Sequence, residues 1–324
     1  MGLCIQRLYF RSDKMTTTSC PFANTSFKLD SKETLSEKHP EQQTNNESYS
    51  FPTIAEPNAL RSILQQDIYL LGSLFTILCQ FAHPGLAKGS YNHTQFGKRY
   101  QQRLQKTGCF LNVAVRGTEE EKKAIFKIVH KYHSRVKGDG YSADDPELHK
   151  WTAATLFMSI VLVKETFFGK MGTDEMETLL QECAIFGTSL RMPPEMWFQD
   201  LQEFWTYWDY NIATLEITDE AKSLVQGLLY PPQSKGLPFS MSIALPVVRN
   251  ITINWLPSRL AREYGLTPGL ASQAGYVGFV AWVKTVYPWV PVAWKGKLSR
   301  ENMEDVRRGV EKIQRTGYWG TASA

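Results

Sequence analysis

The sequence predicts an all-α fold, a single helical domain built around an apolar cavity. Three observations carry that prediction. Apolar residues recur at helical spacing in one segment after another, most of these segments open on a recognisable cap, and alternating strand patterns are scarce. With 324 residues and 43% hydrophobic content the chain can bury a substantial core, and its nine tryptophans favour a large apolar interior or pocket.

Residues 1–50 are rich in Ser, Thr, Asn, Lys and Glu with little apolar periodicity, which predicts a disordered lead-in. Residues 51–324 then read as one helical domain, without internal repeat or later linker. Ile68 to Ala82 is apolar but short of the roughly 20 residues of a membrane span, so it reads as a buried helix. In HPGLAKGSYNH (83–93), Pro84 and Gly85 predict a break that shapes a cavity wall, with His83 and His93 in structural roles. GKRYQQRLQKTG (97–108) reads as a helix with a glycine stop. In GTEEEKKAIFKIVHKYHSRVKG (117–138), Thr118 and Glu121 form a capping box, acidic residues fill the first turn, and Gly138 offers a stop.

DPELHKWTAATLFMSIVLVKETFFG (145–169) opens on Asp145 as cap with Pro146 at the first helical position, and Tyr141 and Asp145 are assigned to the turn and the cap. TDEMETLLQECAIFG (173–187), PPEMWFQDLQEFWTYW (193–208), TDEAKSLVQGLL (218–229) and SRENMEDVRRGVEKIQ (299–314) are further helices. Gly269 to Trp294 is a long apolar stretch interrupted by Lys284 and two prolines. It leaves peripheral contact with a membrane surface open.

The bulk numbers exclude several classes. A net charge of +4 without a lysine/arginine run does not suggest a nucleic-acid partner. Five scattered cysteines with no CxxC pair argue against a disulfide framework and a cysteine zinc site, and fit a reducing, cytoplasmic setting. The N-terminus lacks the apolar run of a secretory signal.

HKYH (130–133) is the one place where histidines crowd. At 100° per residue, Ile125, Ile128, Val129, Tyr132 and Val136 define the buried face of their helix. His133 falls on its shoulder beside Phe126, and His130 lies further round toward solvent. A histidine at such an edge is commonly a satisfied core residue. As a zinc pair, HxxH lacks a third ligand nearby and no HExxH occurs. A haem needs only one neutral imidazole projecting into an apolar cavity, which suits His133 better. Arg103, Lys106 and Thr107 share one side of their helix. That cluster could stabilise bound oxygen or an oxyanion, or be a solvated basic face.

HPGLAKGSYNH (83–93), RLQKT (103–107), HSRVKG (133–138), YSADDPEL…W..ATL (141–156) and LPSRLAREYG (256–265), in that order, resemble the family once called domain of unknown function 2236. It includes the latex-clearing rubber oxygenases and a fungal oxygenase that shortens a prenyl side chain. The resemblance spans roughly residues 55–300. It implies a rubber-oxygenase type of helical domain and a haem b whose iron is held by His133. Arg103, Lys106 and Thr107 would be the catalytic groups of the oxygen side, with Arg103 also touching the cofactor. The implied partners are O2 and a small apolar, prenyl- or isoprenoid-like substrate, oxidised or cleaved at a double bond in secondary metabolism, and the implied location is cytoplasmic with association to the endoplasmic reticulum membrane. Two departures stand out: Ala153 replaces a histidine that many relatives carry, with His149 one turn earlier, and no distal carboxylate can be placed. They keep a second class in view, a non-catalytic helical protein that binds an apolar ligand in the same cavity. A different oxidation in that pocket and, last, a zinc hydrolase are the other expectations.

Overall fold

In the computed structural model the chain is described over residues 56–93, 100–231 and 239–319, with the side chains of 100–104 and 239–241 outside that description. The lead-in expected at residues 1–50 lies outside the described residues. The described residues fall within one unit, Pro52–Ala324.

The first half runs α1 (Asn58–Leu64), a 3-10 turn (Asp67–Gly72) leading into α2 (Ser73–Phe81), then α3 (Pro84–His93), α4 (Tyr100–Arg116) and α5 (Glu119–His133). A two-residue hairpin, β1 (Lys137–Gly138) with β2 (Tyr141–Ser142), is the only strand pair among the described residues. There follow α6 (Pro146–Phe168), α7 (Thr173–Thr188), α8 (Leu201–Thr214), α9 (Asp219–Leu229), α10 (Phe239–Trp255), α11 (Ser258–Glu263), α12 (Leu270–Val286), a 3-10 turn (Tyr287–Trp289), α13 (Val292–Lys295) and α14 (Lys297–Thr316). The all-α prediction holds.

α6 is the axle. Asp145 caps it by accepting from the Glu147 N–H at 2.9 Å, Pro146 fills its first position, and Gly169 ends it at φ 101, a conformation open to glycine. Leu148, Trp151, Ala154, Phe157, Val161 and Val163 are buried around it, and the Trp151 indole donates to the Cys79 carbonyl at 3.0 Å. Composition alone would let α6 cross a membrane, yet 67% of its most apolar window is buried inside the bundle. Burial all round a helix is what an axial core position produces.

Three boundaries differ from the sequence expectation. The helix begun near residue 97 does not stop at Gly108 but continues to Arg116. Gly108 serves instead as a crossing point, since a Cβ there would sit 2.9 Å from Asn302 Nδ2 on α14. The next helix ends at His133, not at Gly138, which pairs in the hairpin. The helix expected from Pro193 begins at Leu201, capped by Asp200, after a 3-10 turn at Pro194–Met196.

Caps supplied from other elements close the bundle. Glu182 on α7 accepts from the Ala59 and Leu60 N–H groups of α1, and Asp67 accepts from Leu298 and Ser299 at the start of α14. Arg259, in the LPSRLAREYG motif, donates to the Ile212 and Leu215 carbonyls at 2.7 Å each and so closes the end of α8. Tyr264 in the same motif donates to the Leu78 carbonyl at 2.9 Å. The motif is a structural clamp.

Candidate metal centre

The site is made where the chain reverses after α5. The two-residue loop Asp139–Gly140, with Gly140 at φ 76, folds β2 back on β1. Tyr141 lies so close to Gly138 that a Cβ there would meet its hydroxyl at 2.6 Å. The Ala143 N–H then donates to the Val136 carbonyl at 2.8 Å, which carries the pairing one step further and brings Asp144 alongside the last turn of α5. Asp144 is the residue before the Asp145 cap, and His149 is at the fourth position of α6. Those two positions ordinarily hold the apolar pair of a hydrophobic staple. Here both are polar.

His133, Asp144 and His149 each place a ligand atom within 4.8 Å of the others. The His133 and His149 rings lie 6.2 Å apart at 32°. His149 is 4% exposed. Its Nε2 donates to the Ala143 carbonyl at 2.8 Å, which fixes the proton there and leaves the lone pair on Nδ1. That Nδ1 is buried and has no hydrogen-bond partner. Burial, the largest cause, lowers the pKa of His149, opposed by its bond to Ala143 and the charges of Asp144 and Asp145. The ring is therefore neutral at pH 7, the form that binds a metal.

A second ring braces the carboxylate. His130 Nδ1 is 3.3 Å from Asp144 Oδ1, and its Nε2 is 2.6 Å from the Arg191 guanidinium. Guanidinium can only donate, so Nε2 accepts and the imidazole proton points to Asp144. Arg191 sits at φ 74, a left-handed conformation uncommon for a side chain of this size. His130 is thus half-buried in a network, where the helix angle had placed it toward solvent.

The HxxH pair, which the sequence disfavours as a zinc site, is not the cluster that the structure brings together. His133 contributes to the cluster, and its companions come from 11 and 16 residues further along. Asp144 had no place in the sequence reading, and His149 appeared only as a histidine out of register. The legible signal was the Gly-rich reversal followed by a helix start with polar residues at both staple positions. His83 accepts from the Gly85 N–H at 3.2 Å, and His93 meets the Tyr141 hydroxyl at 3.0 Å, the structural roles expected of them. Ala153 is fully buried on α6.

For the RxxKT cluster, α4 and α5 form an antiparallel hairpin. Counting about 1.5 Å per residue from the loop, Arg103 and His133 lie at the same level, about 20 Å away. The Arg103 side chain lies outside the described residues. Lys106 donates to the Trp319 carbonyl at 2.8 Å, and Thr107 is exposed. A shallow open groove of about 570 Å³ lined by Lys150, Asp200, Tyr207 and Tyr210 is bordered by none of His133, Asp144 and His149.

Two imidazoles and a carboxylate thus gather on a helical scaffold. The family model described as "ER-bound oxygenase mpaB/B'/Rubber oxygenase, catalytic domain" matches residues 60–285. The chain belongs to this family. The matched region is the part that this description calls an oxygenase catalytic domain. Two relatives, uncharacterized proteins of Mycobacterium bovis and Mycobacterium tuberculosis, are each 29% identical over 161 residues, covering 47% of this chain and 63% of theirs. The chain thus spans just under two thirds of the length of these relatives. No solved structure gives a significant match.

Imidazole and carboxylate donors suit iron, and two histidines with one carboxylate leaving positions open is the ligand set of non-haem iron oxygenases. One histidine alone is what a haem asks of the protein. The orphaned Nδ1 of His149 is the feature that fits a metal, because a buried acceptor without a donor costs about 1–3 kcal/mol unless something binds it.

Proposed function

We propose that this protein is an iron-dependent oxygenase of a small apolar, isoprenoid-like substrate, the iron being carried as haem b on His133. What supports it is the family match, together with the half-buried His133 ring at the end of α5 with Asp144 nearby. Bound iron would supply the binding and activation of O2. The chain's own part is to hold the His133 ring at the end of α5, brace it through the hairpin, and exclude water with the packed helices. Asp144, held by His130, which Arg191 braces in turn, would be the outer carboxylate that sets ring orientation. Arg103, Lys106 and Thr107 are assigned to the oxygen side. For Lys106 that requires release of the Trp319 carbonyl. The family description speaks of an ER-bound oxygenase, and with it we propose a cytoplasmic protein associated with the endoplasmic reticulum membrane.

One observation favours a second reading, iron without porphyrin. Asp144 and His149 come as close as a three-ligand ion site needs, more than a haem uses. An absorption spectrum with pyridine haemochrome and iron quantification separates the two. A Soret band lost in His133→Ala and kept in His149→Ala supports haem. One iron per chain, no Soret band, and loss of the metal in either variant supports the three-residue site. A purified protein that takes up neither haem nor iron overturns both and leaves a helical module that binds an apolar ligand.

A further inference from the structure

α12 leaves much of its apolar surface in water. Ser272 and Tyr276 face the bundle: the Ser272 carbonyl accepts from Asn250 Nδ2 at 3.1 Å, the Ser272 hydroxyl donates to Asn250 Oδ1 at 2.5 Å, and the Trp255 indole donates to the Tyr276 hydroxyl at 3.0 Å. Phe279 and Val280 are half-buried beside them, and several large apolar residues face out. Val283 alone is buried of its 17 residues, whereas Leu270 is 86% and Trp282 60% exposed. The face continues through the turn and α13 with Trp289 at 85%, Val292 at 83% and Trp294 at 71%, and Ile243 and Val247 on α10 are exposed as well. Isolated exposed apolar residues need no explanation, but a run of this length does.

The charges beside it have one sign. From Tyr264 to Arg300 there is no Asp or Glu, and the stretch carries Lys284, Lys295, Lys297 and Arg300. The ammonium of Lys295 is drawn to the Pro288 carbonyl at 3.3 Å and Lys297 reaches Glu301 at 3.8 Å, while Lys284 stands exposed on α12, in line with Leu270 and Val277 at seven-residue spacing and about 200° round the helix from Trp282. A second copy of this chain on the same patch would set these cations against their like. Tryptophan, aliphatic residues and lysine without acid are the composition of a surface that meets lipid headgroups. α12 is only about 25 Å long at 1.5 Å per residue and is followed by Pro288 and Pro291, which suits a helix lying in the interface better than one crossing it.

We propose that α12, the Tyr287–Trp289 turn and α13 form a docking face that seats in one leaflet of an anionic lipid bilayer, with Trp282, Trp289 and Trp294 in the interface and Lys284 against the headgroups. The inference deepens the membrane-side location proposed above by naming the surface. It does not depend on the metal or the reaction.

The test uses the full chain and vesicles of phosphatidylcholine alone or with added phosphatidylserine, carrying brominated acyl chains. The protein should float with the anionic vesicles, bind less at high salt, and show quenched tryptophan fluorescence. Trp289→Ser with Trp294→Ser should weaken partitioning about tenfold or more and Lys284→Glu should remove the anionic preference, both with unchanged circular dichroism. Since Trp289 and Trp294 are largely exposed, the double variant keeps its fold, and Val277→Ser is an independent variant of the same face. Absence of binding to either vesicle, or binding undiminished in these variants, overturns the proposal. So does a lipid-free dimer that Trp289→Ser dissociates, which would give the face to a second copy. Vesicle binding in a protein found away from the endoplasmic reticulum would sink the location and leave the docking face standing.

Discussion

On the three-residue reading of the site, replacing His149 with leucine should move stability in opposite directions with and without metal. In the metal-free protein its buried Nδ1 has no partner, a cost of about 1–3 kcal/mol, and leucine removes it. Leucine also removes the 2.8 Å bond from Nε2 to the Ala143 carbonyl, a loss of about 0.5–1.5 kcal/mol. Ala143 is half-buried, so water can reach its carbonyl. The balance favours the variant by about 1 kcal/mol. Metal-loaded protein gains a further term that the variant forfeits, about 2.7 kcal/mol when the free metal is a hundred times its dissociation constant. Urea titrations of wild type and His149→Leu, followed by far-UV circular dichroism after chelation and again after anaerobic ferrous loading, read both signs. If the chelated variant is less stable than wild type by 2 kcal/mol or more, His149 is an ordinary packed core residue and the metal reasoning fails.

Arg191→Gly removes the bond to His130 while relieving the left-handed backbone, so stability should stay within about 1 kcal/mol of wild type while metal affinity falls about tenfold or more, read by competition with a chelator. Arg259→Ala breaks both bonds that close α8 and should cost about 2 kcal/mol in the same urea titration. His83 lies below its ordinary 6.5, burial being the larger cause and Asp145 opposing it. The unfolded chain takes up that proton first as pH falls. Its contribution to stability is therefore present above pH 6.5 and lost as pH drops through the lowered folded value, an acid sensitivity that His83→Asn should reduce in pH-dependent melts. Arg103→Ala should leave bound iron or haem intact and abolish substrate-dependent oxygen uptake; unchanged uptake would return the RxxKT cluster to a solvated face.

The helices were legible because their signals are local. Thr118 with Glu121, and Asp145 with Pro146, fix helix starts through bonds spanning two or three residues. Stops were less legible. Gly108 carries the same glycine in a stop and in a helix crossing, and only the approach of Asn302 from α14 distinguishes them. At the candidate site His133 could be singled out from its helix angle and motif. Asp144 and His149 could not, because what joins them to His133 is the register of a two-residue hairpin and a cap's neighbouring positions, not a spacing on one helix. The α12 stretch showed its apolar composition in sequence but not its side.

The sequence by itself determined the helical class, the caps that start α5 and α6, and His133 as the residue to watch, since each follows from interactions within a few positions of the chain. Only the tertiary structure decided that a buried histidine lone pair and a braced carboxylate converge on that ring, and that α12 turns several large apolar residues outward. Both depend on which distant surfaces meet. That is set by packing across the whole bundle, where the same residue can be core, ligand or exposed face according to its neighbours.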